Sequence, residues 1–256
     1  MNNSFPQFYS QLEPFDVNVH GQWQFADLPP DFGFAAQANV IGLQINEVPY
    51  AVRHFPLLFI AGGADTPPAL VALVGLGDGV NRFVDAQGQW RPDTYIPAYV
   101  RRFPFMLMQV QDQNEMILAV DVAQPWVKTQ TGETLVDSQG KSTPRLERAM
   151  AMQREHQQQM RVTLAMCVAL RDSGVLEQRA LTWQAPDGQS RQLNGFMCVD
   201  EAKLKALSDE AVLALHKADA MGLAYAQLLS LSNLHSLIGS AGGAPAAAPA
   251  PSRAST

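Results

Sequence analysis

One thirteen-residue pattern occurs twice in this chain, as "VPYAVRHFPLLFI" from Val48 to Ile60 and as "IPAYVRRFPFMLM" from Ile96 to Met108. Five positions match at a fixed offset: Pro49/Pro97, Val52/Val100, Arg53/Arg101, Phe55/Phe103 and Pro56/Pro104. The first proline of each copy suits the opening turn of a helix, where a missing N–H costs nothing. The second cannot continue that helix and pushes the phenylalanine before it toward extended backbone. Apolar runs follow at once, "LLFIA" and "FMLMQV", and after a turn each has a partner, "ALVALVGL" (69–76) and "EMILAVDV" (115–122). Each copy therefore predicts a helix–strand–strand unit. Runs this continuously apolar suit strands covered on both faces. Sequential strands usually neighbour one another, so the two units are expected to share one mostly antiparallel, mixed sheet.

The segment between the units is turn-rich; "NRFVD" (81–85) reads as a short strand and "AQGQW" as the turn leading out of it. Beyond "AQPW" the pattern changes. Thr143 as N-cap, Pro144 at the first helical position and Gly174 as a stop delimit one long helix. Leu146, Met150, Met160, Leu164, Cys167 and Val168 form its apolar stripe. Its middle, "QREHQQQ" (153–159), is polar all round, so that turn meets either solvent or something polar. A hairpin follows, with "PDG" (186–188) between "ALTWQA" and "RQLNGFMCVD". Ser208 then caps a helix, and Asp219 and Gly222 break it into a consecutive pair. The expected organisation is an irregular, aromatic-rich arm (1–37), a sheet-rich half (38–126) and a helical half with the hairpin (127–239) in the same domain. An Ala/Pro/Ser-rich tail (240–256) is too poor in apolar bulk to offset its ordering entropy and should be disordered. The class is α+β.

Function classes narrow by exclusion. The net charge of −6 gives no broad attraction for nucleic acid or anionic lipid. Only 16% of residues are charged, which suggests a surface rich in Gln, Ser, Thr and Asn, or one covered by a partner. No apolar stretch reaches the ~18 residues of a membrane span, and the start of the chain has neither a basic nor an apolar segment of the secretory kind; a soluble, cytoplasmic protein is expected. Cys167 and Cys198 stand alone, as buried thiols of a reducing compartment do. The five histidines, His20, His54, His156, His216 and His235, form no metal-ligand spacing. "GLGDG" (75–79) lacks the spacing of a dinucleotide or P-loop cradle. No metal and no cofactor is expected.

The candidates that remain are few. Arg53 and Arg101 hold equivalent places in the two units, and Arg102 adds a second charge. Guanidinium groups from paired units can clamp a carboxylate or phosphate, though each can equally serve the negative end of its own helix. Asp85, Trp90 and Tyr99 lie in and beside the turn-rich segment, where binding residues often sit; a structural turn with a buried indole is the plainer reading. Met150, Met152, Met160 and Met166 offer an adaptable surface or ordinary packing on the long helix.

The phrases "NRFVDAQGQWRPDTYIPAYVRRFPFML", "LERAMAMQREHQQQM" and "LNGFMCVDEAKLKALSDEAVLALHKADAMGLAYAQLLSLSNL" resemble the bacterial SapC family, from about Phe15 to Ile238. The permease of peptide ABC transporters that shares the name is excluded by the lack of membrane spans. The resemblance implies a link, by name, to bacterial surface layers and serum resistance. It also implies a genomic setting near TonB-dependent receptors, cupin-type oxygenases and flavin-dependent tryptophan halogenases. It carries no established catalytic residues. The expected function is a non-catalytic accessory protein that binds a protein or peptide partner in a cell-surface or outer-membrane uptake system, with oligomers allowed. The alternative is an enzyme or small-molecule binder beside such oxygenases or halogenases, with its site at the junction of the two units.

Overall fold

The computed structural model describes residues 6–26, 31–62, 66–109, 116–124, 126–129 and 131–245. The strands are β1 (Leu12–Pro14), β2 (Gln24–Phe25), β3 (Val40–Gly42), β4 (Leu57–Ile60), β5 (Ala69–Leu73), β6 (Phe105–Gln109), β7 (Met116–Asp121), β8 (Glu133–Thr134), β9 (Leu176–Gln184), β10 (Ser190–Val199) and β11 (Ala244–Pro245). The helices are α1 (Val17–His20), α2 (Val48–Ala51), α3 (Ala98–Arg101), α4 (Pro144–Asp172), α5 (Glu201–Lys205), α6 (Asp209–Lys217), α7 (Ala220–Ser230) and α8 (Leu234–Ser240). The class is α+β.

Both repeats fold as helix–strand–strand units, α2–β4–β5 and α3–β6–β7. Each strand pair is antiparallel, with Leu57 opposite Ala72 in the first and Phe105 opposite Val120 in the second. The single shared sheet is not formed. The first unit sits in a six-stranded sheet, β11–β9–β10–β4–β5–β3; the second sits in a three-stranded one, β1–β7–β6. Every pairing between named strands is antiparallel, so the sheets are not mixed. The reason lies in the edges. The free edge of β4 is taken by β10, with Phe196 opposite Ile60, and that of β5 by β3, with Ile41 opposite Ala72. No edge of the first unit is left to accept the second, which pairs β7 with β1.

Other expectations need smaller corrections. The N-terminal arm is not irregular throughout, because it supplies β1 and β2. "NRFVD" is not a strand; it forms a turn closed by one bridge between Val84 and Trp90. In the C-terminal tail, Ala244 and Pro245 pair with Gln184 and Trp183 of β9; the expectation of disorder for 246–256 lies outside the described residues.

The α4 helix starts after Thr143 with Pro144 at its first position and stops before Gly174, whose φ of +74° is cheap only for glycine. The β9–β10 hairpin turns through Pro186-Asp187-Gly188, where Gly188 again takes positive φ, +77°. Ser208 accepts the Ala211 N–H as the cap of α6, and Asp219, left-handed at φ +53°, separates α6 from α7.

Two hydrophobic cores result. The larger gathers β4, β5, β10 and α7, with Met166, Cys167 and Leu170 from the C-terminal half of α4. The smaller holds Phe103, Phe105, Leu118 and Val120, with Leu146 from the N-terminal half of α4. At 29 residues, α4 is about 43 Å long, enough to reach both. Both cysteines are free and buried, and burial pushes Cys167 up to about 12 and Cys198 up to about 11, so both stay thiols.

The units are tied by apolar packing, with Val100 of α3 buried in the larger core, and by a polar link. Glu47, only 2% exposed, lies just before α2. Its carboxylate accepts the backbone N–H of Ala98 at 2.6 Å, the first residue of α3, and the Tyr95 hydroxyl at 3.0 Å. Its other oxygen accepts the N–H of Gln44 at 2.9 Å and closes a capping box. A negative charge at the start of α3 also complements that helix end. Removing it strands three donors. Glu47→Ala should therefore destabilise the fold by about 2–4 kcal/mol, and Glu47→Gln, which keeps an acceptor, by clearly less; urea unfolding of the three proteins measures this.

Candidate functional site

One face of the polar middle of α4 is docked, and the other, with Arg154, Glu155 and Gln158, is exposed. Gln153 and Thr163 are each 1% exposed and His156 is 8% exposed. Gln153 donates to the Arg102 carbonyl at 3.3 Å. The His156 carbonyl accepts from the Gln44 side chain at 2.7 Å, and Thr163 accepts the Ile45 N–H at 2.8 Å. The helix thus meets the first unit through Gln44 and Ile45 and the second through Arg102. The predicted apolar stripe is interrupted here for that reason: Met150, Met160, Leu164 and Val168 are only half-buried, while polar groups fill the contact.

Two cavities flank this seam and share Arg101 and Met152. One, of about 320 Å³, is a cleft between α4 and the second unit. Arg101, Arg102, Arg145 and Arg148 line it over a floor that includes Phe103, Phe105 and Ala149, and no described lining residue is acidic. Arg102 is buried, its guanidinium 4.4 Å from the centre of the Tyr99 ring and 5.9 Å from that of Tyr9. These ring faces stabilise the charge, yet its buried Nε has no hydrogen-bond partner among the described residues. Arg101 donates to the Ile96 carbonyl and to the Tyr95 hydroxyl. Arg145 donates to the Ala26 carbonyl; Glu133 approaches it at 4.0 Å and Arg148 at 3.5 Å. Arg145 and Arg148 lie in the first turns of α4, where cations are disfavoured by the helix dipole.

The second cavity, of about 300 Å³, lies at the junction of the two units and is lined by Glu47, Tyr50, Tyr95, Arg101 and His156 among others. Burial raises the Glu47 carboxyl above its ordinary value, against the pull of its hydrogen-bond donors and Arg101. Burial, then Arg102, lowers His156 to about 3, so the imidazole is neutral at pH 7. Its Nδ1 is buried without a hydrogen-bond partner among the described residues. Tyr50 and Tyr95 stack at 5.7 Å, with Tyr50 58% exposed. Burial, then Glu47, raises the Tyr95 hydroxyl to about 12.

The structure brings Arg101, Arg102 and Tyr99 together. It separates Arg53 from them: Arg53 lines a third cavity with His54 and Arg91, so the equivalent arginines do not clamp one ligand. Asp85 is exposed and its carboxylate accepts the N–H groups of Gln87 and Gln89 within its own turn. Trp90 is buried against Phe32 and Phe83. Glu47, Tyr95, Arg145, Arg148, Gln153 and His156 were not singled out for a site from the sequence. The polar helix middle was the signal for Gln153 and His156, and two arginines at a helix start the signal for Arg145 and Arg148.

Among the described residues, no group of three or more His, Cys, Asp or Glu side chains is placed to hold a metal ion, and no helix is long and apolar enough to cross a membrane. The SapC family model matches residues 15–237. The chain belongs to the SapC family. The match spans both units, α4, the hairpin and the helical pair, and so the whole seam. No curated protein and no solved structure matches the chain.

Because His156 is buried neutral, its protonation opposes folding. The stability it contributes is full above its ordinary pKa of 6.5 and is lost as pH falls from there toward about 3, by at most about 1.4 kcal/mol per pH unit. Glu47, with a raised folded pKa, acts in the opposite sense, losing stability as pH rises through that value. His156→Gln should therefore lessen the loss of stability between pH 6.5 and 4 relative to wild type, read by urea midpoints across that range.

Proposed function

We propose that this SapC family protein is a non-catalytic accessory protein that binds a protein or peptide partner through the arginine cleft. The partner presents an acidic segment. The observation that carries this reading is the grouping of Arg101, Arg102 and Arg148 on one open cleft of a chain whose net charge is −6. Concentrating cations against that balance has an electrostatic cost, which an acidic ligand offsets. The floor of Phe103, Phe105 and Met152 adds apolar contact, and Arg forks suit carboxylates. The family's setting supports a partner within a cell-surface or outer-membrane uptake system, met from the cytoplasmic side. Arg148 is 68% exposed and is the safest handle. A Glu-rich peptide titrated into the full chain should bind in a salt-dependent manner. Arg148→Glu should weaken that binding roughly tenfold or more. Binding that ignores the charge reversal contradicts the proposal.

One observation favours a second reading, a small-molecule site or enzyme at the unit junction. Glu47 and His156, with pKa values displaced in opposite directions, line the same cavity, as acid–base pairs do. The Tyr50–Tyr95 stack beside Arg101 suits an aromatic carboxylic acid. Under this reading, free tryptophan raises the melting temperature of the wild-type chain and not of Arg101→Gln; an equal response of both contradicts it.

A further inference from the structure

Arg53, the first-unit counterpart of Arg101, opens onto a cavity of its own, of about 200 Å³, between the turn that follows α2, the segment joining the two units, and α8. Its lining is cationic and polar: Arg53, His54 and Arg91, with Asn233 and Ser236 from the helical side and Phe83 as an apolar wall. No described lining residue is acidic, and neither Arg53 nor Arg91 forms an ion pair among the described residues. From this juxtaposition we infer that the Arg53–His54–Arg91 cavity is a binding site for a phosphate monoester or inorganic phosphate.

The choice of phosphate follows from what the walls have left to give. The Asn233 amide is spent on the carbonyls of Val52 and Phe55, which close the first unit's helical turn. The Thr94 hydroxyl donates to the Arg91 carbonyl and the Ser240 hydroxyl to the Leu237 carbonyl. The guanidinium forks of Arg53 and Arg91, the His54 imidazole and the Ser236 hydroxyl remain. One arginine satisfies a carboxylate in a bidentate pair, which would leave the second guanidinium without a counter-charge. A phosphate monoester carries about −1.5 to −2 at pH 7 and three terminal oxygens, enough to face both forks at once. The small volume admits the anionic group and little beyond it. His54 reports on the charge of the cavity. Its pKa lies below the ordinary 6.5, first through burial and then through Arg53 and Arg91, the two cations beside it. An anion between these three groups reverses the effect of the arginines.

The site stands apart from the arginine cleft and does not depend on the peptide reading. The test uses the full chain. Imidazole NMR follows His54, and calorimetry follows binding, with inorganic phosphate, O-phosphoserine, ribose 5-phosphate and, at equal ionic strength, acetate. The phosphates should raise the His54 pKa, and acetate should not. Arg53→Gln and Arg91→Gln, both at exposed positions, should each weaken binding roughly tenfold or more. Lys205→Gln, a surface charge paired with Glu201 elsewhere, should leave it unchanged. Tighter binding of either ester points to a monoester source, and binding of inorganic phosphate alone to the free ion. An unmoved His54, an equal response to acetate, or unaltered affinity in both arginine variants overturns the inference.

Discussion

The carboxylate of Glu47 on the backbone of Ala98 is the contact from which the rest of the arrangement follows. It joins the helical turn of one unit to the helical turn of the other, side chain to main chain, at a point where no strand connects them. Burying a carboxylate is costly, and the three donors to Glu47 offset part of that cost while burial still raises its carboxyl above the ordinary value. Gln44 continues the link to α4, and Arg102 completes it from the second unit. The two cores are thus joined by a polar seam and by Phe8 and Phe34, which pack against both, with α4 as the rod that spans them.

That seam explains why a duplicated sequence unit does not give a duplicated site. Each copy folds alike locally, but different strands claim its edges, so the copies enter different sheets. Each then presents its equivalent arginine to different surroundings. Arg101 meets Arg102, Arg148 and the start of α4 in a cleft with an apolar floor. Arg53 meets Arg91 and α8 in a smaller, more polar cavity. Related helical turns have been given separate chemical settings by what packs against them.

Features set by local chemistry were legible in the sequence. The α4 boundaries followed from Thr143, Pro144 and Gly174, the hairpin from Pro186-Asp187-Gly188, and the helix pair from Ser208 and Asp219. Sheet partnership was not legible. Nothing within Leu57–Ile60 says that β10 will pair with it, and nothing in Leu12–Pro14 marks it as the strand that claims β7. The site was half legible. Arg101, Arg102 and Tyr99 do come together, because they share one turn of chain. Glu47 reads locally as an ordinary residue at a helix start, and its role appears only when Ala98, fifty-one residues on, is brought against it. The polar run in α4 posed its question openly, and only the tertiary arrangement answered it: one face, through Gln153 and the His156 carbonyl, bonds to Arg102 and Gln44, and the other is exposed.

Native-state hydrogen exchange at the amides of Ala98 and Ile45 tests the seam most directly. Each bonds to a side chain across it, Glu47 and Thr163 respectively, rather than to a strand or helix ladder. If the seam holds the two cores as one cooperative unit, both amides exchange only as slowly as those in the middle of β4, through global unfolding. Exchange at either amide through a low-energy local opening, while β4 stays protected, would mean that the two units are held together by something else.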